Sequence, residues 1–200
     1  MRVSAQTKAQ TRETILRTAR RLFAEKGYDA TRTRDIADAA GIANGTLFNY
    51  FQTKEAIVAS LAREAIAQTL THACANAPAQ TLEEDLFALV ALGLRKLKPL
   101  RKHLPALLET SLSPLAAPSC DDDSTSLRIA HLEAVAALAS KHGIAELSPI
   151  ALQLYWTLYT GVLVFWANDS SPKQEQTLAL LDDSLNMFAG WARNDTQRSP

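Results

Sequence analysis

Cysteine is scarce in this 200-residue chain: Cys74 and Cys120 are the only two, and no CxxC pair exists. The four histidines, at 72, 103, 131 and 142, fall at no metal-ligand spacing. Both features argue against a disulfide framework or a metal site, so a reducing, cytoplasmic setting is expected, with no cofactor and no metal. Long apolar runs are missing too. The most apolar stretch, Ile150 to Ala167, is broken by Gln153, Thr157, Thr160 and Gly161, which reads as a buried helix and leaves no membrane partner expected. Alternating β-branched runs separated by hairpin turns are nearly absent. No nucleophile–base pair, glycine-rich phosphate loop or carboxylate dyad stands at usable spacing, so the chain is not expected to be an enzyme.

Net charge is also zero, with 21 basic and 21 acidic residues, but it is unevenly spread. Residues 1–54 hold ten Lys/Arg against five acids, a balance of +5, and the remainder carries −5. A basic module joined to a mildly acidic body is the pattern expected of a protein that meets phosphate at one end.

What fills the sequence is helix signal. Residues 9–26 put Ile15, Leu16, Ala19, Leu22 and Phe23 on one face, and Gly27 stops the helix. Thr33 is placed to cap a second helix stopped by Gly41, Asn44 to cap a third through Phe51, and Thr53 to open a fourth reaching about Ala75. Amphipathic stretches follow at about 81–98, 101–113, 124–142, 148–168 and 173–193, with a Pro- and Asp-containing loop at 113–126. The expected fold is all-α with about nine helices. An N-terminal helix-turn-helix unit is expected over 1–52 and a C-terminal helical unit over 53–200.

The segment from Thr33 to Phe51 carries the chemistry. Two short helices must cross closely there: Ala37 permits the approach, Gly41 the tight turn, and Ile42 plugs the joint. Ile36, Leu47, Phe51 and Phe23 make a small core beneath. Asn44, Thr46, Asn49 and Tyr50 are left on the outer face of the third helix, polar and aromatic groups suited to base edges and phosphates. For Tyr50, packing is an equally open role.

These residues, with the run Leu-Phe-Ala-Glu-Lys-Gly-Tyr at 22–28, Gly-Thr-Leu-Phe-Asn-Tyr-Phe at 45–51 and Lys54-Glu55, resemble the TetR-type transcriptional regulators over roughly residues 10–57. The resemblance implies a homodimer that sets its third helix in the major groove of double-stranded operator DNA, above a C-terminal domain holding the dimer face and usually an effector pocket. It implies phosphate contact at Thr33, base or backbone contact at Arg34, recognition-helix contacts at Asn44, Gly45, Thr46, Asn49 and Tyr50, and a phosphate grip at Lys54. Phe48 departs from the family's usual Tyr and removes one hydroxyl.

In the body, the nearly all-apolar helix 148–168 and the stripe on helix 173–193 suggest half of an intersubunit four-helix bundle. Leu154, Leu158, Leu178, Leu181, Leu185 and Phe188 are its expected interface. A pocket for a small apolar or amphipathic effector is expected among Phe87, Val90, Leu94, Leu107, Leu108, Trp156, Tyr159 and Phe165, with His103 and Glu109 as polar anchors, though such residues are more often simple core and His103, in a basic stretch, reads as a surface side chain. Two readings stand: a repressor released from its operator by a small-molecule effector, or a DNA-binding dimer without such a sensor, controlled by a protein partner or acting in chromosome organisation.

Overall fold

The computed structural model describes residues 5–75, 80–103, 122–144 and 146–195. Among the described residues the secondary structure is helical throughout: α1 (Ala5–Lys26), α2 (Thr33–Ala39), α3 (Asn44–Phe48), α4 (Lys54–Ala75), α5 (Leu82–Leu97), α6 (Asp122–Lys141), α7 (Pro149–Asn168) and α8 (Glu175–Asp195). Short 3-10 turns occupy Lys98–His103 and Pro172–Gln174. The helix expected over 101–113 lies outside the described residues beyond 103, as does the expected loop up to 121, while its last residues, 122–126, begin α6 instead.

The chain divides into two compact units, up to Glu64 and from Ala65 onward. The division lies later than residue 52 because the first half of α4 is part of the N-terminal core. Ile57, Val58 and Leu61 are buried there with Ile15, Leu16, Ala19, Leu22 and Phe23 of α1. Polar ties reinforce the pairing of these helices: Arg12 donates to Ser60 Oγ at 3.1 Å, and Arg20 meets Glu64 at 2.7 Å. Thr53 caps α4 as its sequence suggests, its hydroxyl accepting from the Ala56 N–H at 3.1 Å.

In the C-terminal unit, α8 packs along both α5 and α7, and α6 covers α5 and α7. Thr81 opens α5 with a reciprocal cap, its hydroxyl accepting from the Glu84 N–H while Glu84 accepts from the Thr81 N–H. Ser148 caps α7 by accepting from the Ala151 N–H, with Pro149 at the first helical position. Leu86, Leu89, Val90 and Leu97 of α5 meet Val135 and Leu138 of α6, Tyr155, Trp156, Leu163 and Trp166 of α7, and Phe188 of α8 in one core. A hydrogen bond between His142 and Asp85 at 2.7 Å and an ion pair between Arg193 and Glu83 at 2.6 Å fasten its edge.

Three of the expected dimer-face residues are placed differently. Leu181, Leu185 and Phe188 are buried inside their own subunit, so their stripe faces α5 and α7 rather than a partner. Periodicity reveals an apolar face but not what covers it. α7 is long and apolar enough by composition to cross a membrane, yet 44% of that window is buried within this unit.

Candidate nucleic-acid interface

The joint between α2 and α3 is built as its residues dictate. Gly41 has φ +71°, its N–H bonds to Asp38 O at 3.2 Å, and the Ile42 N–H reaches back to Ala37 O at 3.0 Å. This paired closure ends α2 in a left-handed residue that glycine adopts without strain. At the other end of α2 the Arg32 N–H donates to the Asp35 carboxylate at 2.9 Å, so Arg32, not Thr33, is the capping position. Ala43 likewise precedes α3, making Asn44 its first helical residue rather than its cap. α3 ends at Phe48, and Asn49–Phe51 continue as a turn held by bonds back to Thr46 and Leu47.

Ile36, Ala37, Leu47 and Phe51 are buried beneath these two helices. That core fixes which side chains face out. Arg34, Asn44, Gly45 and Asn49 are exposed, and Thr33, Thr46 and Tyr50 are half-buried. Arg34 has no hydrogen-bond or ion-pair partner among the described residues, so its guanidinium fork is available. Phe48 is 42% exposed on the same short helix, a large apolar ring left uncovered.

Lys54 stands apart from this group. Its Nζ donates to the carbonyls of Tyr28 at 2.9 Å and Thr31 at 3.0 Å and lies 3.7 Å from the centre of the Tyr28 ring. The ammonium therefore closes the turn after α1 onto the start of α4, a structural duty that the expected phosphate grip did not foresee. Tyr28 completes the lock by donating to Glu55 at 2.8 Å, and the Thr31 hydroxyl donates to Gly27 O at 2.7 Å. Burial, with Glu55 alongside, pushes the Tyr28 phenol well above its ordinary value. The basic excess of this unit is thus partly consumed inside it: Arg12 also sits over the Phe51 ring, and Arg21 pairs with Glu25.

In the C-terminal unit the residues expected around an effector scatter. Val90, Leu94, Trp156 and Tyr159 are buried, and Phe87 is half-buried. Phe165 is 40% exposed and so lies on the outer surface rather than in a pocket, while Leu107, Leu108 and Glu109 fall outside the described residues. The side chain of His103 does too. Sequence reasoning passed over His131. Its ring lies 4.4 Å from Tyr159 and 5.9 Å from Trp156, centre to centre, and Nε2 is 3.0 Å from the Tyr155 hydroxyl. Nδ1 has no hydrogen-bond partner although it is fully buried. Burial pulls this imidazole down from 6.5 to about 4, so it is neutral at pH 7. Among the described residues no group of three or more His, Cys, Asp or Glu could hold a metal ion.

Comparison with known proteins matches this geometry to a family. Residues 15–61 fit the bacterial regulatory proteins of the tetR family. The transcriptional repressor KstR2 of Rhodococcus jostii (strain RHA1) is 32% identical over 194 residues, spanning 93% of this chain and 81% of that protein. KstR2 of Mycolicibacterium smegmatis is 43% identical over 56 residues, which is 28% of this chain and 27% of that protein. Among solved structures, a TetR regulator from Rhodococcus sp. RHA1 superposes with a TM-score of 0.68 over 90% of this chain and 97% of that one, at 19% identity. FadR of Thermus thermophilus, a TetR-family repressor in complex with lauroyl-CoA, gives 0.64 over 88% of this chain and 92% of that one, also at 19% identity. Those two likenesses show the shared fold, and the near full-length relative shows the family: this chain belongs to the TetR family of transcriptional regulators.

Proposed function

We propose that this protein is a cytoplasmic, homodimeric repressor that holds operator DNA through α2 and α3 and releases it when a small apolar or amphipathic effector enters the C-terminal unit. The observation that carries the DNA half is the outward cluster of Arg34, Asn44, Gly45 and Asn49, with Thr33, Thr46 and Tyr50 beside it, on two helices and the turn that follows them, over a locked core. Arg34, Asn44 and Asn49 are the groups able to discriminate bases, since an amide or guanidinium fork matches two base-edge atoms at once. Thr33, Thr46 and Tyr50 are suited to phosphate, and Lys54 acts on DNA indirectly by holding the turn that carries Thr31 and Thr33.

The dimer face is assigned to the outer sides of α7 and α8. Ile150 and Met187 are each 72% exposed, and Val164, Phe165 and Leu178 are also uncovered, with Leu154 and Leu158 half-buried between them. Apolar groups repeating at 150, 154, 158 and 165 form one stripe along α7, the pattern of a helix covered by a partner. The effector half is supported by the ligand held by the FadR neighbour and by the aromatic cluster around His131, whose unpaired Nδ1 is a polar atom in apolar surroundings. α4 belongs to both units along its length, which gives effector binding a route to the DNA-reading helices.

Titration of an operator complex with lauroyl-CoA and with apolar compounds of similar length tests the reading. Release of DNA at ligand concentrations that also raise the melting temperature is expected. DNA binding indifferent to every such compound would replace the sensor by control through a protein partner or a role in chromosome organisation.

A further inference from the structure

A polar cavity of about 340 Å³ lies where the 3-10 turn after α5 meets the connection from α7 to α8. Lys98 and Arg101 line it from one side, and Asp169, Ser171, Lys173 and Gln174 from the other. Three of these groups are cations and one is an anion, and the anion is occupied. Asp169 Oδ1 accepts from the Ser171 N–H at 2.8 Å, and Oδ2 accepts from the Thr177 N–H at 3.0 Å and the Thr177 hydroxyl at 2.6 Å. Its carboxylate therefore shapes the loop and pairs with none of the three bases.

None of the three bases has a carboxylate partner among the described residues, and Lys98 and Lys173 are exposed at the mouth of the cavity. Lys98 and Lys173 have no hydrogen-bond or ion-pair partner among the described residues. Arg101 is fixed rather than paired: Nε donates to Trp166 O at 2.7 Å, another N–H donates to Asp169 O, and the guanidinium lies 5.6 Å from the centre of the Trp166 ring. Of its five N–H donors three remain. Gln174 accepts from Trp166 Nε1 at 3.0 Å through its oxygen, which leaves its amide N–H groups to donate. Lys173 and Gln174 also hold φ of +52° and +60°, two consecutive non-glycine residues in the left-handed region. Such backbone persists when the surroundings impose it, and it gathers at ligand sites more than elsewhere. Three cations lining one open cavity together attract an anion that enters it.

We infer that this cavity is an anion site for a phosphoryl group. A lining with a net charge of +2 matches a phosphate dianion better than a single carboxylate. Lysine ammoniums and a braced guanidinium supply donors from several directions, which a tetrahedral anion accepts. The volume is at the lower end for small-molecule sites, room for a phosphate and part of whatever carries it. Free phosphate and the phosphate of a larger ligand share this chemistry.

Calorimetric titration of the full-length protein at pH 7.5 and constant ionic strength tests the site, using inorganic phosphate in one arm and coenzyme A in the other. Saturable binding in either arm is expected, and binding of coenzyme A at least tenfold tighter than phosphate identifies a carried phosphate. K98Q/K173Q should weaken that binding at least tenfold with unchanged helicity, whereas K141Q, which is not part of the lining, should not. No saturable binding in either arm overturns the site, as does binding that K98Q/K173Q leaves intact. The titration needs no operator DNA, so its failure leaves the repressor reading standing, and failure of ligand-driven DNA release leaves the anion site standing.

Discussion

Acidification should destabilise this protein through His131 by an amount that its surroundings set. The imidazole is 3% exposed, packed among Tyr155, Trp156 and Tyr159, with one nitrogen near a hydroxyl and the other unpaired. Burial lowers its folded value to about 4 from an ordinary 6.5. The unfolded chain takes up a proton near pH 6.5, while the folded chain resists until near pH 4. The contribution of this group to stability is therefore complete above pH 6.5 and is lost as pH falls between those two values. Proton linkage puts the loss at about 1.4 kcal/mol at pH 5.5 and about 2.5 kcal/mol at pH 4.5. Carboxylates titrate in the lower part of the same range, so the comparison is with His131→Gln, which keeps a polar neighbour for Tyr155 but has nothing to ionise. Urea unfolding at pH 7.5, 5.5 and 4.5, at one protein concentration because dimers gain stability by mass action, measures the difference. Wild type should lose about 2.5 kcal/mol more than the variant between pH 7.5 and 4.5. Parallel losses in the two proteins would refute the burial argument.

Lys54→Met should lower the stability of the N-terminal unit by about 1–3 kcal/mol, because two carbonyls lose a charged donor and the Tyr28 ring loses its cation. Thermal unfolding followed by circular dichroism reads that loss, and a variant as stable as wild type would return Lys54 to a purely DNA-facing role. Phe48→Tyr should steepen the dependence of operator affinity on salt by up to about one unit of slope, by restoring a hydroxyl on the exposed face of α3. An unchanged slope would place that ring away from phosphate. Phe165→Glu should convert dimers to monomers in sedimentation, since it buries a charge in the stripe assigned to the partner; an intact dimer would move the interface elsewhere.

The DNA-reading end was legible because its constraints are local. Ala37, Gly41 and Ile42 stand within six residues, and the turn they demand is the turn that forms. Element ends were less so: the periodic pattern through Phe51 hid the early end of α3, where Asn49 and Tyr50 favour a turn over a helix. The structural contacts of Lys54 were not legible because its acceptors arrive from Tyr28 and Thr31, 26 and 23 positions back in the chain, which no local pattern announces. The stripe of Leu181, Leu185 and Phe188 was correctly apolar, but two surfaces competed to cover it and the subunit's own core won. His131 gave no signal at all. A single imidazole between Ala130 and Leu132 reads as ordinary helix, and only its neighbours on α7 make it a buried, half-satisfied group. The basic cavity was equally hidden, since Lys98 and Lys173 meet only through the fold.

Selection of duplexes from a random pool by the full-length protein, followed by sequencing of the bound fraction, puts DNA reading through α2 and α3 to the most direct test. The recovered fragments should share an inverted repeat whose half-site centres lie ~34–36 Å apart or a multiple of that spacing. Enrichment should collapse for a protein carrying Arg34→Ala and Asn49→Ala that keeps wild-type helicity. Fragments without a common sequence, or equal enrichment by the doubly substituted protein, would contradict it.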